Sequence, residues 1–341
     1  LKKTLIIDGY NILKIGVNGV KNYYHNNKHI GGIWYFITTL KNFIETYDFD
    51  KVVVMWDGED NRIARKLIYP KYKEKRPEVI EDDVYEESFR YQKHRVQLYL
   101  EDMFVRQIDI KGVEADDLIA YYCSIAKDEK ITILSSDTDL LQLVSENVSQ
   151  YSLSVKRLFK KGDKIKLKYY ELPIENVKTY KILSGDKSDN IDGIYYLGEK
   201  TFVKLFPEVL ERVVTISDIL SKAEQLFNED KNNSAINNLL TGKTKNGVYG
   251  DEFFIINEQL IDLSKPLIND DGKNIVEMYY RESLDPNGRG YKNLMRYMME
   301  DGFFKFLPKT DDVWIKLITP FLKLTRKEKR IYDKHERTRI G

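Results

Sequence analysis

Apolar positions along the chain fall into short unbroken runs that alternate with longer stretches of helical periodicity. Leu5-Ile6-Ile7, Val52-Val53-Val54-Met55-Trp56 and Ile131-Thr132-Ile133-Leu134 read as strands buried on both faces, and 105–110 alternates like a fourth. Between them Ile33, Phe36, Ile37, Leu40, Phe43, Ile44 and Tyr47 recur on one helical face. A second helix is expected over about 81–104, and Leu118, Ile119, Tyr122, Ile125 and Ala126 give a third its apolar side. Strands alternating with helices predict an α/β fold, a mostly parallel sheet with helices on both faces. Residues 17–31, rich in Asn, Gly and Lys, read as an exposed loop. Farther on, short β-like runs occupy 148–167, a helix is expected over 173–183, and the pattern beyond 194 is helix-rich.

The polar residues sharpen this picture, because the strands end in acids. Asp8 and Asp57 each precede a glycine, and Asp137 and Asp139 follow the run at 131–136. Glu114, Asp116 and Asp117 fall in the first turn of the third helix, with Asp186 and Asp189 in a later loop that opens on Gly185. In an open α/β sheet the carboxyl ends of parallel strands line the ligand crevice. Acids there admit two readings. One is helix capping and complement to the helix dipole; the other is a set of ligands for a hard cation, Mg²⁺ or Mn²⁺. So many acids together would repel one another unless divalent ions neutralise them. No His or Cys accompanies them, which excludes a typical zinc set, and an oxygen-only cluster points to paired ions and phosphoryl chemistry.

Composition narrows the classes further. A chain of 341 residues has room for two domains, or for one α/β domain with a large appendage. The formal net charge of +1 is silent on nucleic acid. The single cysteine, Cys123, rules out an intrachain disulfide and suits a reducing, cytoplasmic setting. No apolar run approaches membrane-spanning length, no signal-peptide pattern opens the chain, and Leu1 stands where an initiator Met would be.

Five ordered stretches resemble the motifs of the 5′-nuclease, or flap endonuclease, family. They are Asp8-Gly9-Tyr10-Asn11, Trp56-Asp57-Gly58, Gly112-Val113-Glu114-Ala115-Asp116-Asp117, Ser136-Asp137-Thr138-Asp139 and Gly185-Asp186-Lys187-Ser188-Asp189-Asn190-Ile191. The C-terminal part is more similar to the phage branch, most of all to the RNase H type of the T-even phages. The resemblance implies a PIN-like α/β domain over 1–184 carrying a helical arch at about 60–104. A helix-rich DNA-binding part with a helix-turn-helix duplex clamp would follow over 185–341. It implies one metal site from Asp8, Asp57, Glu114 and Asp116 and another from Asp137, Asp139, Asp186 and Asp189, while Asp117 matches an acid found in only some members. The implied activity is hydrolysis near free 5′ ends of DNA flaps, nicked duplex or RNA–DNA hybrid by a monomer, in the cytoplasm of a phage-infected bacterium. A single-strand-binding protein or sliding clamp is the partner such a role would bring. Two other readings stand beside it, a junction-binding protein of the same fold that does not cut and a phosphatase of haloacid-dehalogenase type. Leu141 stands where the latter motif wants a hydroxyl.

Two segments carry the expected nucleic-acid contacts. Residues 62–77 hold seven basic residues and two tyrosines, among them Arg62, Arg65, Lys66, Lys71 and Tyr72. Tyr72-Lys73-Glu74-Lys75-Arg76 resembles the arch motif, which implies Lys73 and Arg76 on the scissile phosphate and Tyr72 stacked on a base. Gly193, Gly198, Lys200 and Thr201 resemble the duplex clamp, where a K⁺ ion often bridges loop and DNA; Tyr195, Tyr196 and Leu197 depart from its small-residue pattern. The tail at 323–339, with eight Lys or Arg against three acids, reads either as a mobile end or as an arm for phosphates or a partner.

Overall fold

The computed structural model describes residues 1–74, 83–247, 250–305 and 312–340. In chain order it begins β1 (Lys2–Asp8), α1 (Gly9–Gly19), β2 (Tyr24–His25), β3 (Lys28–His29), α2 (Gly31–Tyr47) and β4 (Lys51–Trp56). Next come α3 (Ile63–Ile68), α4 (Asp83–Asp102), β5 (Arg106–Asp109), α5 (Ala115–Ile125) and β6 (Glu129–Leu134). Strands β7 (Val148–Ser152), β8 (Arg157–Phe159), β9 (Lys164–Lys166) and β10 (Glu171–Pro173) lead to α6 (Val177–Ser184) and α7 (Glu199–Leu205). The remainder is helical: α8 (Ile216–Glu229), α9 (Ser234–Leu240), α10 (Asp251–Ile261), α11 (Asp270–Arg281), α12 (Tyr291–Glu300) and α13 (Asp312–Ile340). The division expected at residue 184 followed sequence order. By compactness, residues 1–59, 80–136 and 268–341 form one unit and residues 60–79 and 137–267 a second.

The first unit is built on parallel strands, as the apolar runs predict, in the order β5-β4-β1-β6. Strand β1 is central, and Ile7 lies opposite Val54 on one side and Leu134 on the other. With both faces covered by helices, Leu5, Ile6 and Val52 to Met55 are wholly buried. Where the strands begin, Lys51 and Glu129 form a buried ion pair at 2.6 Å. The Thr4 hydroxyl donates to Glu129 (2.6 Å) and Lys51 to the Tyr122 hydroxyl (2.7 Å), so neither charge is left bare.

Two expectations change here. The loop expected over 17–31 is the end of α1 followed by a β2–β3 hairpin turning on Asn26 and Asn27, both with positive φ (50° and 61°). The basic tail is helical, and its first half is packed rather than mobile: in α13, Phe321, Leu324 and Glu328 are buried. Polar anchors join this apolar packing. Arg106, at the start of β5, pairs with Glu328 at 2.8 Å and donates to the Tyr279 and Glu282 carbonyls. Lys327 reaches Asp48 (3.2 Å) and Asp50 (3.1 Å).

The second unit pairs β7 with β8 and β9 with β10, both antiparallel, beside a helical core of Leu172, Phe202, Phe206, Ile219, Leu239 and Phe253. Helix α3 leans on α10, where the buried Arg65 donates to the Leu260 carbonyl (3.3 Å). Removing one member of a buried ion pair strands the other, at a cost of about 3–5 kcal/mol. Glu328→Ala should therefore lower unfolding free energy by about that amount in urea denaturation, whereas Arg326→Ala should leave it nearly unchanged.

Candidate nucleolytic site

The first group of acids lies wholly in the first unit. Asp8 ends β1 and caps α1: its Oδ1 accepts from the Asn11 amide (3.0 Å) and its Oδ2 from the Ser135 hydroxyl (2.8 Å). Asp57 follows the neighbouring parallel strand β4, and its Oδ1 accepts from the Ala115 amide at the start of α5 (2.8 Å). Glu114 is the N-cap residue of α5, Asp116 and Asp117 stand in its first turn, and Glu114 and Asp117 are buried. The Asp57-Gly58 turn must run close to the loop after β5, since a Cβ on Gly58 would lie 1.9 Å from the Ile110 carbonyl oxygen. Lys93 of α4 adds a cation here, donating to the Asp57 carbonyl (3.3 Å) and to Asp109 (3.2 Å).

The second group lies wholly in the second unit. The Asp139 amide donates to Asp137 Oδ1 (2.9 Å), and the Gln150 side chain donates to the Asp137 carbonyl (2.6 Å). Residues 186–191 close on themselves through paired Asp186 and Ile191 backbone hydrogen bonds. A Cβ on Gly193 would overlap the Ser184 carbonyl, so only glycine lets this loop fold back on α6. The Ser188 amide and hydroxyl donate to Asp186 Oδ1 at 2.8 and 2.6 Å.

Sequence reasoning missed the residue that joins this group. Lys181 of α6 donates to both Asp139 and Asp186, the latter at 2.9 Å. Its signal was a cation in the last turn of a helix that ends just before an acidic loop. Lys73, which was expected, sits beside Asp189: their side chains are 3.8 Å apart, and the Lys73 amide donates to the Asp189 carbonyl (2.8 Å).

Other expected contacts sort by exposure. Arg62, Lys66, Lys71 and Lys200 present exposed side chains, and Lys200 lies 4.1 Å from the Tyr169 ring centre. Arg65 is buried in structural contacts. Tyr72 cannot take the base-stacking role: it is 2 % exposed, with Arg65 and Lys73 against its ring and its hydroxyl donating to Asp189 (3.1 Å). Its packed position instead fixes Asp189. In the 193–201 loop, Gly198 caps α7, the Ile194 carbonyl accepts from Leu197 and the Tyr195 carbonyl from Asn238. Arg76 lies outside the described residues.

Charge in the second group is unevenly balanced. Burial, reinforced by the charge of Asp137, pushes the Asp139 carboxyl up to about 7 against the pull of Lys181. Burial also opposes ionisation of Asp186, yet Lys181 and the Ser188 hydrogen bonds outweigh it and hold that carboxyl at about 2. Burial alone would lower Lys181; the two carboxylates more than offset it and raise it. Among the described residues no three acids close together into a ready metal cage. The donors nonetheless fit a hard divalent ion: they are all oxygens, and in the second group two already converge on a positive charge.

The Asp139 shift gives stability a pH dependence with a definite sign. Between the ordinary value near about 3.9 and about 7, the folded state holds a proton that the unfolded chain has lost. This contribution favours the fold below that window and is lost as pH rises through it. The melting temperature of metal-free protein in EDTA should therefore carry a falling component between about pH 4 and 7. Asp139→Asn should remove that component, and Asp137→Asn should shrink it.

Known proteins resemble this chain in sequence and in fold. The family described as 5′-3′ exonuclease, N-terminal resolvase-like domain, matches residues 3–170. The 5′-3′ exonuclease of Halalkalibacterium halodurans is 31 % identical over 236 residues, covering 65 % of this chain and 74 % of the relative. That of Buchnera aphidicola subsp. Schizaphis graminum is 28 % identical over 244 residues, covering 69 % and 80 %. A bacteriophage T5 flap endonuclease, solved as a pseudo-enzyme–product complex with DNA and metal ions, shares the fold at a TM-score of 0.59. It is 19 % identical, with 90 % of this chain and 100 % of that one covered. With its acids at the ends of parallel strands and a 5′-3′ exonuclease relative matched over most of its length, the chain belongs to the 5′-3′ exonuclease family and is a nuclease.

Proposed function

We propose that the protein is a divalent-metal-dependent 5′ nuclease that hydrolyses phosphodiester bonds near the 5′ ends of flaps, nicked duplex and RNA–DNA hybrid. The observation that carries the metal requirement is Lys181 held between Asp139 and Asp186, a resident cation where the second group of acids converges. Asp8, Asp57, Glu114 and Asp116 would hold one ion, and Asp137, Asp139, Asp186 and Asp189 the other. When bound, Mg²⁺ or Mn²⁺ supplies Lewis-acid activation of water and neutralises charge on the phosphate. The protein's own groups do the rest. Asn11, Ser135 and Ala115 aim Asp8 and Asp57 through their hydrogen bonds, and Ser188 and Tyr72 aim Asp186 and Asp189. Lys73, 3.8 Å from Asp189, would meet negative charge that grows on a phosphate. Arg62, Lys66, Lys71 and Lys200 would track the backbone, and the 193–201 loop would meet duplex phosphates, with K⁺ as its candidate ion.

Asp8→Asn separates the chemical role from the structural one, because an asparagine still caps α1. Cutting of a 5′-labelled flap should require Mg²⁺ or Mn²⁺ and vanish in Asp8→Asn, while stability shifts by only about 1 kcal/mol. Undiminished cutting in EDTA would overturn the proposal. Lys181→Met tests the same site without turnover. Removing a nearby positive charge should tighten Mn²⁺ binding by calorimetry about tenfold or more, and it should lower the melting temperature of the metal-free protein. Lys73→Ala should slow single-turnover cleavage about 100-fold while substrate affinity changes far less. Equal losses in rate and affinity would reduce Lys73 to electrostatic attraction.

A further inference from the structure

A cavity of about 650 Å³ opens in the first unit where the end of α1, the β2–β3 hairpin and α4 meet. Three tyrosines, Tyr24, Tyr85 and Tyr91, line it together with Lys21, Lys28 and Asn18; among the described residues Glu87 is the one acid on its wall. The hairpin is built to hold this shape. Its strands are two residues each, too short to add much to the core, and a hairpin that small is marginal unless anchored. The anchors are specific. His29 donates from Nε2 to the Val20 carbonyl (2.6 Å) and accepts at Nδ1 from Gln92 (3.2 Å). Gln92 is wholly buried, and its Oε1 accepts from the Gly32 amide at the start of α2 (2.8 Å). One amide side chain thus ties α4, α2 and the hairpin together. Tyr24 is left 56 % exposed at the rim, although a tyrosine ring is costly to leave in water.

We infer that this cavity binds a single nucleotide, its base against the rings of Tyr24 and Tyr85, since Lys28 covers the Tyr91 ring at 4.3 Å, and its phosphate on Lys21. The volume is that of a small-molecule site and far exceeds what one inorganic anion fills. Aromatic faces with flanking cations are the sequence-tolerant way to hold a nucleotide of an unpaired strand. Asn18 can pair with a base edge, and it already accepts a hydrogen bond from the Tyr85 hydroxyl (3.0 Å). The inference rests on the nuclease reading for its choice of ligand and adds a distance. Helix α1 runs from the Asp8 cap to the cavity, and its 11 residues span about 16 Å at 1.5 Å each. A stacked strand covers that in about five nucleotides. The pocket would therefore grip the strand a fixed number of nucleotides from Asp8.

The experiment uses full-length protein in EDTA, so that binding is read without cutting. Fluorescence anisotropy compares a plain duplex, the same duplex with a single-stranded 5′ arm, and thymidine monophosphate as competitor. In the Lys21→Ala, Tyr24→Ala double variant, whose side chains are exposed, affinity for the armed duplex should fall about fivefold or more. Plain-duplex affinity and melting temperature should not change. In the wild type, 4-thiothymidine about five nucleotides from the junction should crosslink to the Tyr24 or Tyr85 peptide. Competition by the monophosphate without a crosslink assigns the pocket to a free nucleotide instead of a strand. Equal affinity of variant and wild type for the armed duplex, with neither crosslink nor competition, overturns the inference and leaves the nuclease reading intact. Failure of the wild type to bind either duplex would overturn the nuclease reading itself.

Discussion

Concentrating negative charge at the ends of buried strands is the constraint to which the rest of the structure answers. Each acid must be held in place, and its charge must be balanced or its proton kept. In the first unit the balance is dipolar: backbone amides at the starts of α1 and α5 and the Ser135 hydroxyl point at Asp8 and Asp57. In the second it is ionic, with Lys181 between Asp139 and Asp186 and Lys73 beside Asp189. Asp139 shows that the balance is incomplete, since its carboxyl titrates near about 7 despite the lysine. A group kept part-protonated without metal is one that a divalent ion can deprotonate on binding, which links metal uptake to proton release.

The same constraint explains why helix starts recur around the acids. A cap contributes about 1 kcal/mol, too little to justify burying a carboxylate by itself. Asp8 therefore reads as a residue whose capping makes its burial tolerable, not as one buried in order to cap. The opposite end of the sheet carries charge of another kind. Lys51, Glu129, Thr4 and Tyr122 satisfy one another completely and present nothing outward. Buried charge alone is no mark of a site; acids gathered with like charge are.

Much of this was legible in the sequence where the information is local. Runs such as Val52-Val53-Val54-Met55-Trp56 can only be buried strands in an α/β chain, and an acid closing such a run has few places to go. Lys73 stood out because it belongs to a compact motif. What escaped was set by partners far along the chain. Tyr72 and Arg65 look like exposed members of a basic segment until Asp189 and Leu260 cover them. The tail appeared too polar to pack because its anchors, Glu328 and Lys327, find their partners at Arg106 and at Asp48 and Asp50. Lys181 was overlooked for the same reason, one of two lysines on α6, its meaning depending on where the next loop turns. The hairpin at 24–29 was missed because two-residue strands carry no periodicity.

The Arg106–Glu328 pair also orders events in time. Residues 137–267, most of the second unit, are continuous in the chain and lie between the pieces of the first. As the chain leaves the ribosome, β5 appears with an arginine whose carboxylate will be made 222 residues later. Contacts so distant in sequence make for slow folding. Until α13 arrives, Arg106 at the edge of the parallel strands lacks its carboxylate partner, and the elements bearing Asp8 and Asp57 lack their final support. The second unit can meanwhile gather most of its core from neighbouring residues. Growing chains would then pass through a stage with one acid group formed and the other still loose, in which phosphodiester hydrolysis has to wait for the last helix.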